Sequence, residues 1–380
     1  MHIGFITSHY PFLVSKINGG IGTSIQNLSK ELISLGHKVT VFVYGQENDE
    51  KCIELGISLV KIKNVKFKGI SWYLTRKKIQ TIICNESIIS KIDLVEAPDW
   101  EGISSYINLP CPLVVRLNGS DTYFCHLENR HVKWFNKFNE KRALLKANAH
   151  LSVSEFTADV TKSVFGINIS FTIIPNGINA SVFNGKNYEA DSKKILYFGG
   201  IIRKKGVLEI PHYFNQVIEK NPTAQLIIIG KDMSDTLTGN PSTFEMMKKI
   251  FSDEANKNVK FLGSVSYYEI KKHIEDATVC IFPSFAEAFP VSWLEAMAMG
   301  KPIVASNVGW AKEMIVDSKS GYLVDPKDHR LFVDRINKLL EDIELRKEIG
   351  NSARYTIENV FDIKKIAIQN VDFYESLISK

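Results

Sequence analysis

Cysteine is scarce in this chain of 380 residues: Cys52, Cys84, Cys111, Cys125 and Cys280 are odd in number, scattered and never spaced C-x-x-C. That excludes a disulfide framework and a zinc knuckle, and it fits a reducing compartment. No apolar run approaches the roughly 18–20 residues needed to span a membrane. Met1 to Thr7 runs directly into a strand pattern, with neither the apolar core nor the cleavage site of a signal peptide. None of the nine histidines falls in H-E-x-x-H, and Asp-x-Asp, a common way to hold a divalent ion on a diphosphate, is absent. These gaps lead us to expect a cytoplasmic protein without a metal ion and without a nucleic-acid partner.

What the sequence does hold is ordinary globular composition, 44% hydrophobic and 23% charged, with a net charge of +5. Residues 1–185 carry the whole excess, 20 Lys+Arg against 15 Asp+Glu. It gathers at Lys61, Lys63, Lys66, Lys68, Arg76, Lys77 and Lys78, beside Trp72, Tyr73 and Leu74. Two readings stay open: a solvated strand face, since Lys61 and Lys63 alternate with Val60 and Ile62, or a surface that docks on the anionic inner face of a membrane.

Short apolar, β-branched segments recur along the chain with helical patterns between them. They are His2–Thr7, Lys38–Tyr44, Ile57–Ile62, Asp93–Ala97, Leu113–Leu117, His150–Val153 and Thr172–Ile174, and after a polar stretch at Asn184–Ser192 the series restarts at Lys194–Phe198. It continues through Ala224–Ile229, Val259–Leu262, Val279–Phe282, Pro302–Ala305 and Gly321–Val324. Buried strands alternating with helices predict parallel sheets covered on both faces. The fold class expected is α/β: two doubly wound, Rossmann-like domains facing each other across a cleft. Their expected bounds are 1–185 and 186–361, with 362–380 as a terminal helix packing back on the first domain.

The most informative stretch is Phe282-Pro283-Ser284-Phe285-Ala286-Glu287-Ala288-Phe289-Pro290-Val291-Ser292-Trp293-Leu294-Glu295-Ala296-Met297-Ala298-Met299-Gly300-Lys301-Pro302. It reads as a strand, a loop and a helix opened by Pro290 and closed by Gly300. A helix start offers unpaired N–H groups and partial positive charge to a phosphate. Glu287 and Glu295 flank that start and are able to accept hydrogen bonds from sugar hydroxyls.

This stretch resembles the signature of the retaining glycosyltransferases of family 4, which have the GT-B fold. Other segments match in the family's order over almost the whole chain. Gly19-Gly20-Ile21-Gly22-Thr23 is similar to the family's glycine loop, which implies donor contacts at Gly20 and Ile21; taken alone it is also an incomplete dinucleotide fingerprint. Pro175-Asn176-Gly177-Ile178-Asn179 resembles a turn at the end of the first domain. Arg203-Lys204-Lys205-Gly206 looks like the family's Lys-Gly element, which implies that Lys205 neutralises the donor diphosphate.

The resemblance implies Glu287, Lys205 and Asn118 as catalytic residues. Donor binding falls to Gly20, Ile21, Arg203, Lys205, Gly230, Val265, Glu287, Ala288, Phe289, Pro290, Val291 and Glu295. Acceptor binding is expected near Asp99, Trp100, Glu101 and Asp121. Three departures stand out: Gly200 occupies the place of an Arg, with Arg203 as its possible substitute; Asn118 replaces a His; and Ala288-Phe289-Pro290 replaces a Gly-Phe-Gly turn. The implied function is metal-independent, retaining transfer of a sugar from a nucleotide-sugar donor to a saccharide or lipid-linked acceptor, in surface polysaccharide or glycolipid synthesis. Alternatives are a GT-B protein that binds the donor with weak catalysis, and a GT-B epimerase or phosphorylase.

Overall fold

The computed structural model describes residues 1–12, 20–183 and 193–379, the side chains of Tyr267 and Tyr268 excepted. Gly19 and the expected linker Asn184–Ser192 lie outside the described residues.

The chain divides into two compact units, residues 1–177 with 363–380 and residues 178–362. The first crossing therefore precedes position 185. Ile178 N–H donates to the Phe361 carbonyl at 3.0 Å, and the Phe183 carbonyl accepts from the Arg354 guanidinium, so residues 178–183 belong with the second unit.

Among the described residues the first unit has eight strands: β1 (His2–Thr7), β2 (Lys38–Gln46), β3 (Glu50–Glu54), β4 (Ile57–Lys63), β5 (Leu94–Pro98), β6 (Leu113–Leu117), β7 (Ala149–Ser152) and β8 (Thr172–Ile173). Their order is β3-β4-β2-β1-β5-β6-β7-β8, parallel except for the antiparallel β3–β4 edge. Every residue of β5 and β6 is buried, as expected of strands covered on both faces. The helix Gly20–Ser34 buries Ile25, Leu28 and Leu32, and the helix Ile363–Ile378 adds Ile363, Ile366, Ala367 and Tyr374 to the same core. Beneath them Arg116 forms a buried, two-pronged ion pair with Glu96 at 2.7 and 2.9 Å. Tyr374 donates its hydroxyl to Glu96 at 2.6 Å, fixing the terminal helix to β5.

The second unit holds β9 (Lys194–Phe198), β10 (Gln225–Ile229), β11 (Val259–Phe261), β12 (Val279–Phe282), β13 (Ile303–Ser306) and β14 (Tyr322–Val324), all parallel in the order β11-β10-β9-β12-β13-β14. Both sheets are thus doubly wound. Strand order reverses between β1 and β5 in the first and between β9 and β12 in the second. Ligands of open α/β sheets settle at such reversals, outside the carboxyl ends of the strands.

Candidate active site

Lys205 and Glu287 straddle the reversal in the second unit, Lys205 shortly after β9 and Glu287 shortly after β12. The Lys205 ammonium is bonded to Glu287 Oε1, and Ser284 Oγ donates to the same oxygen at 3.3 Å. Glu287 is only 9% exposed, so its charge is held by this pairing and not by bulk water.

Backbone contacts bring the two loops together. The N–H groups of Phe285 and Ala286 donate to the Lys204 carbonyl at 2.8 and 3.2 Å. Gly206 has φ of +66° and lies so close to the 283 loop that a Cβ would fall 1.8 Å from the Pro283 carbonyl oxygen. Gly230 meets Gly199 in the same way, with 1.7 Å between a built Cβ and the Gly199 oxygen. Both glycines are used for close approach. Gly230 N–H also donates to the Gly263 carbonyl at 2.8 Å, which joins the loop holding Val265 to the ends of β9 and β10.

The helix Val291–Ala298 begins immediately beyond this pair. Pro290 is its N-cap and not its first helical residue, and it makes no side-chain capping bond. Of the first-turn N–H groups, that of Trp293 donates to the Pro290 carbonyl at 3.2 Å, while those of Val291 and Ser292 have no partner inside the helix. Ala288, Phe289 and Val291 are buried around that start, with the Phe289 ring 5.5 Å from Phe361. Glu295 is buried within the helix.

Arg203 departs from the expectation that it replaces the missing Arg at Gly200. Its guanidinium lies flat on Asp235 with bonds of 2.7 and 2.8 Å, and this pairing holds the Asp235 carboxyl well below its ordinary range. Asp235 also accepts from Thr238 N–H at 3.0 Å, so Arg203 fastens the loop after β10.

In the first unit, a cavity opens at the carboxyl ends of β1, β5 and β6, lined by Ile21, Ser24, Pro98, Asn118 and Asn176 among others. Gly22 permits the helix Gly20–Ser34 to touch the β1 loop, since a Cβ would sit 2.4 Å from the His9 carbonyl oxygen. Asn176 Oδ1 accepts from Ser24 Oγ at 2.7 Å, tying the Pro-Asn-Gly turn to that helix.

The loop carrying Asn118 hangs on two buried carboxylates. Asp99 Oδ1 accepts from Asn118 N–H at 2.9 Å. Glu140 accepts from the N–H groups of Glu101, Asp121 and Thr122 at 3.1, 2.9 and 3.1 Å. Asp121 is held in turn by Asn136 Nδ2 at 2.8 Å. Trp100 is half-buried, tilted against Phe124 at 6.3 Å, and Glu101 is exposed on left-handed backbone at φ +51°. Asp99, Trp100, Glu101, Asp121 and Asn118 thus form one cluster. Sequence reading missed Glu140, which on a helical pattern looks like any solvated glutamate.

Burial lifts the Asp99 carboxyl from 3.8 to about 7 and that of Glu140 from 4.5 to about 7. Between those values the folded chain keeps protons that the unfolded chain has released. Their contribution to stability is therefore full below about pH 4 and fades as pH rises through about 7. Asp99→Asn, uncharged and nearly isosteric, is expected to gain in Tm over the wild type more at pH 8 than at pH 5. Melts at both pH values check this; an equal change at both contradicts it.

Two family models divide the chain between them: glycosyltransferase family 4 matches residues 18–182 and glycosyl transferases group 1 matches residues 181–356. The chain belongs to glycosyltransferase family 4. An uncharacterized glycosyltransferase of Methanocaldococcus jannaschii is 24% identical over 99% of this chain and 98% of its own. The capsular polysaccharide biosynthesis glycosyltransferase CapM of Staphylococcus aureus is 27% identical over 66% of this chain and 68% of its own. Among solved structures, the Anabaena protein HepE in complex with UDP-glucose shares 20% identity, with a TM-score of 0.76 over 99% of this chain and 100% of its own. The glycosyltransferase therefore has the GT-B fold, two Rossmann-like units on parallel sheets. Among its described residues, no group of three His, Cys, Asp or Glu is arranged to hold a metal ion, and no helix is long and apolar enough to cross a membrane.

Proposed function

We propose that this glycosyltransferase moves a sugar from a nucleotide-sugar donor to a saccharide or lipid-linked acceptor, with retention of anomeric configuration and without a metal ion. The observation that carries this reading is the Lys205–Glu287 pair at the strand-order reversal, beside the start of the helix Val291–Ala298. A donor diphosphate competes with Glu287 for the Lys205 ammonium and takes the helix's first-turn N–H groups as further donors. Glu287, released from the lysine, accepts hydrogen bonds from the hydroxyls of the transferred sugar. HepE was solved with UDP-glucose, which supports a donor of this class. The name of CapM supports an acceptor in surface polysaccharide synthesis.

In the reaction, the bond from the anomeric carbon to the leaving phosphate oxygen breaks as the acceptor oxygen bonds to the same face. The acceptor proton passes to that phosphate oxygen, which makes a protein base unnecessary. Lys205 stabilises the charge that grows on the diphosphate. Asn118, which lines the cavity of the first unit, offers hydrogen bonds to a substrate hydroxyl and holds no proton at neutral pH.

The test is incubation with UDP, GDP and ADP sugars, with and without an oligosaccharide or lipid-linked acceptor, in buffer and in EDTA. Nucleotide release that needs acceptor, persists in EDTA and gives a product of the donor's anomeric configuration by NMR is expected. Release that stops in EDTA overturns metal independence, and tight donor binding without turnover overturns the catalytic reading.

A further inference from the structure

We propose that the outer face of the helix Trp134–Lys146, together with residues 66–70, docks this chain on an anionic lipid bilayer. The helix turns Asn139, Glu140, Ala143 and Leu144 inward and leaves the opposite face bare. Trp134 is 75% exposed and stacks on Phe138, itself 43% exposed, with ring centroids 5.5 Å apart. At 100° per residue Trp134, Phe138 and Leu145 form one stripe, and Leu145 is exposed as well. Phe67 and Ile70 extend the apolar surface from the start of the helix Ser71–Ile89, joined to it through Trp72, whose ring lies 4.8 Å from Phe135. Two stacked aromatic rings standing in water are costly in a chain that works in free solution.

Charge selects the partner. Lys66, Lys68, Lys133 and Lys137 are all exposed on this surface, and among the described residues none has an ion-pair partner. The helix's one acid, Glu140, is buried and spent on backbone N–H groups. Indole and phenyl rings rimmed by unneutralised lysines suit the headgroup region of an anionic leaflet. Beyond Lys66 and Lys68, the basic run read from the sequence is a poorer candidate. Lys61 and Lys78 are paired with Glu50 and Asp49, and Arg76 is buried, donating to the Glu101 carbonyl at 2.8 Å. The same helix reaches the Asn118 loop through Asn136 and Glu140, so docking places that loop close to the bilayer.

The test uses the full chain without donor or acceptor, so its outcome is independent of transfer activity. Flotation is measured with phosphatidylcholine vesicles, with and without phosphatidylglycerol, while tryptophan emission is recorded. Phosphatidylglycerol-dependent, salt-sensitive binding with a blue shift is expected. Lys133→Glu with Lys137→Glu, and separately Trp134→Ser with Phe138→Ser, are each expected to weaken it about tenfold or more. All four side chains are exposed, and unchanged circular dichroism and Tm verify folding. No binding by the wild type, binding retained by both double variants, or self-association through this face without vesicle binding overturns the proposal.

Discussion

Lys205→Ala is expected to lower kcat by about 10²–10³-fold while KM for the donor rises much less. Negative charge accumulates on the diphosphate as the bond to the sugar breaks, so a cation aimed there binds the transition state more tightly than the ground state. No neighbour takes over the role, because Gly200 has no side chain and Arg203 is committed to Asp235. Glu287→Gln keeps an acceptor oxygen for sugar hydroxyls and loses the charge; a smaller drop is expected, falling more on KM. Steady-state kinetics on the purified variants check both. Near-normal turnover by Lys205→Ala contradicts the assignment.

Gly206→Ala is expected to cost roughly 2–5 kcal/mol of stability, from overpacking and left-handed backbone together. The added carbon meets the Pro283 carbonyl at 1.8 Å, and backbone on both sides leaves no flexible side chain to yield. The loops it forces apart are those that place Lys205 against Glu287, so activity should fall further than the fraction unfolded explains. Thermal melts with kinetics on the folded fraction separate the two effects. Gly36→Ala serves as the comparison: it shares a positive φ, +84°, but nothing lies within 4 Å of its built Cβ, so backbone strain alone is expected there.

Most of the sheet content was legible because parallel strands buried on both faces are written as short, mostly apolar runs, which held at β1, β6, β9 and β12, with Arg116 inside β6 as a buried exception. The strand Glu50–Glu54 escaped because it lies on an edge, is largely exposed and is mostly charged. Its two-residue turn is Leu55-Gly56, and a leucine at φ +54° carries none of the Asn or Asp signal that marks such hairpins. The Glu287 loop was legible because a strand, a loop and a capped helix follow one another in 21 residues of sequence. The Arg203–Asp235 pairing was not, since nothing local tells which of several acids on the next loop a long cation will reach. Asp99 and Glu140 illustrate the same limit for burial: a carboxylate's sequence neighbours do not reveal whether the fold gives it water or backbone N–H groups.

The central claim is that Lys205, at the reversal of the second sheet, grips the diphosphate of the donor. It is tested most directly by measuring binding of UDP, GDP and ADP, and of their nucleosides, to the wild type and to Lys205→Ala by isothermal titration calorimetry. One diphosphate should bind the wild type far better than its nucleoside does, and Lys205→Ala should lose about tenfold or more for the diphosphate with little change for the nucleoside. Equal diphosphate affinity in the two proteins would contradict it.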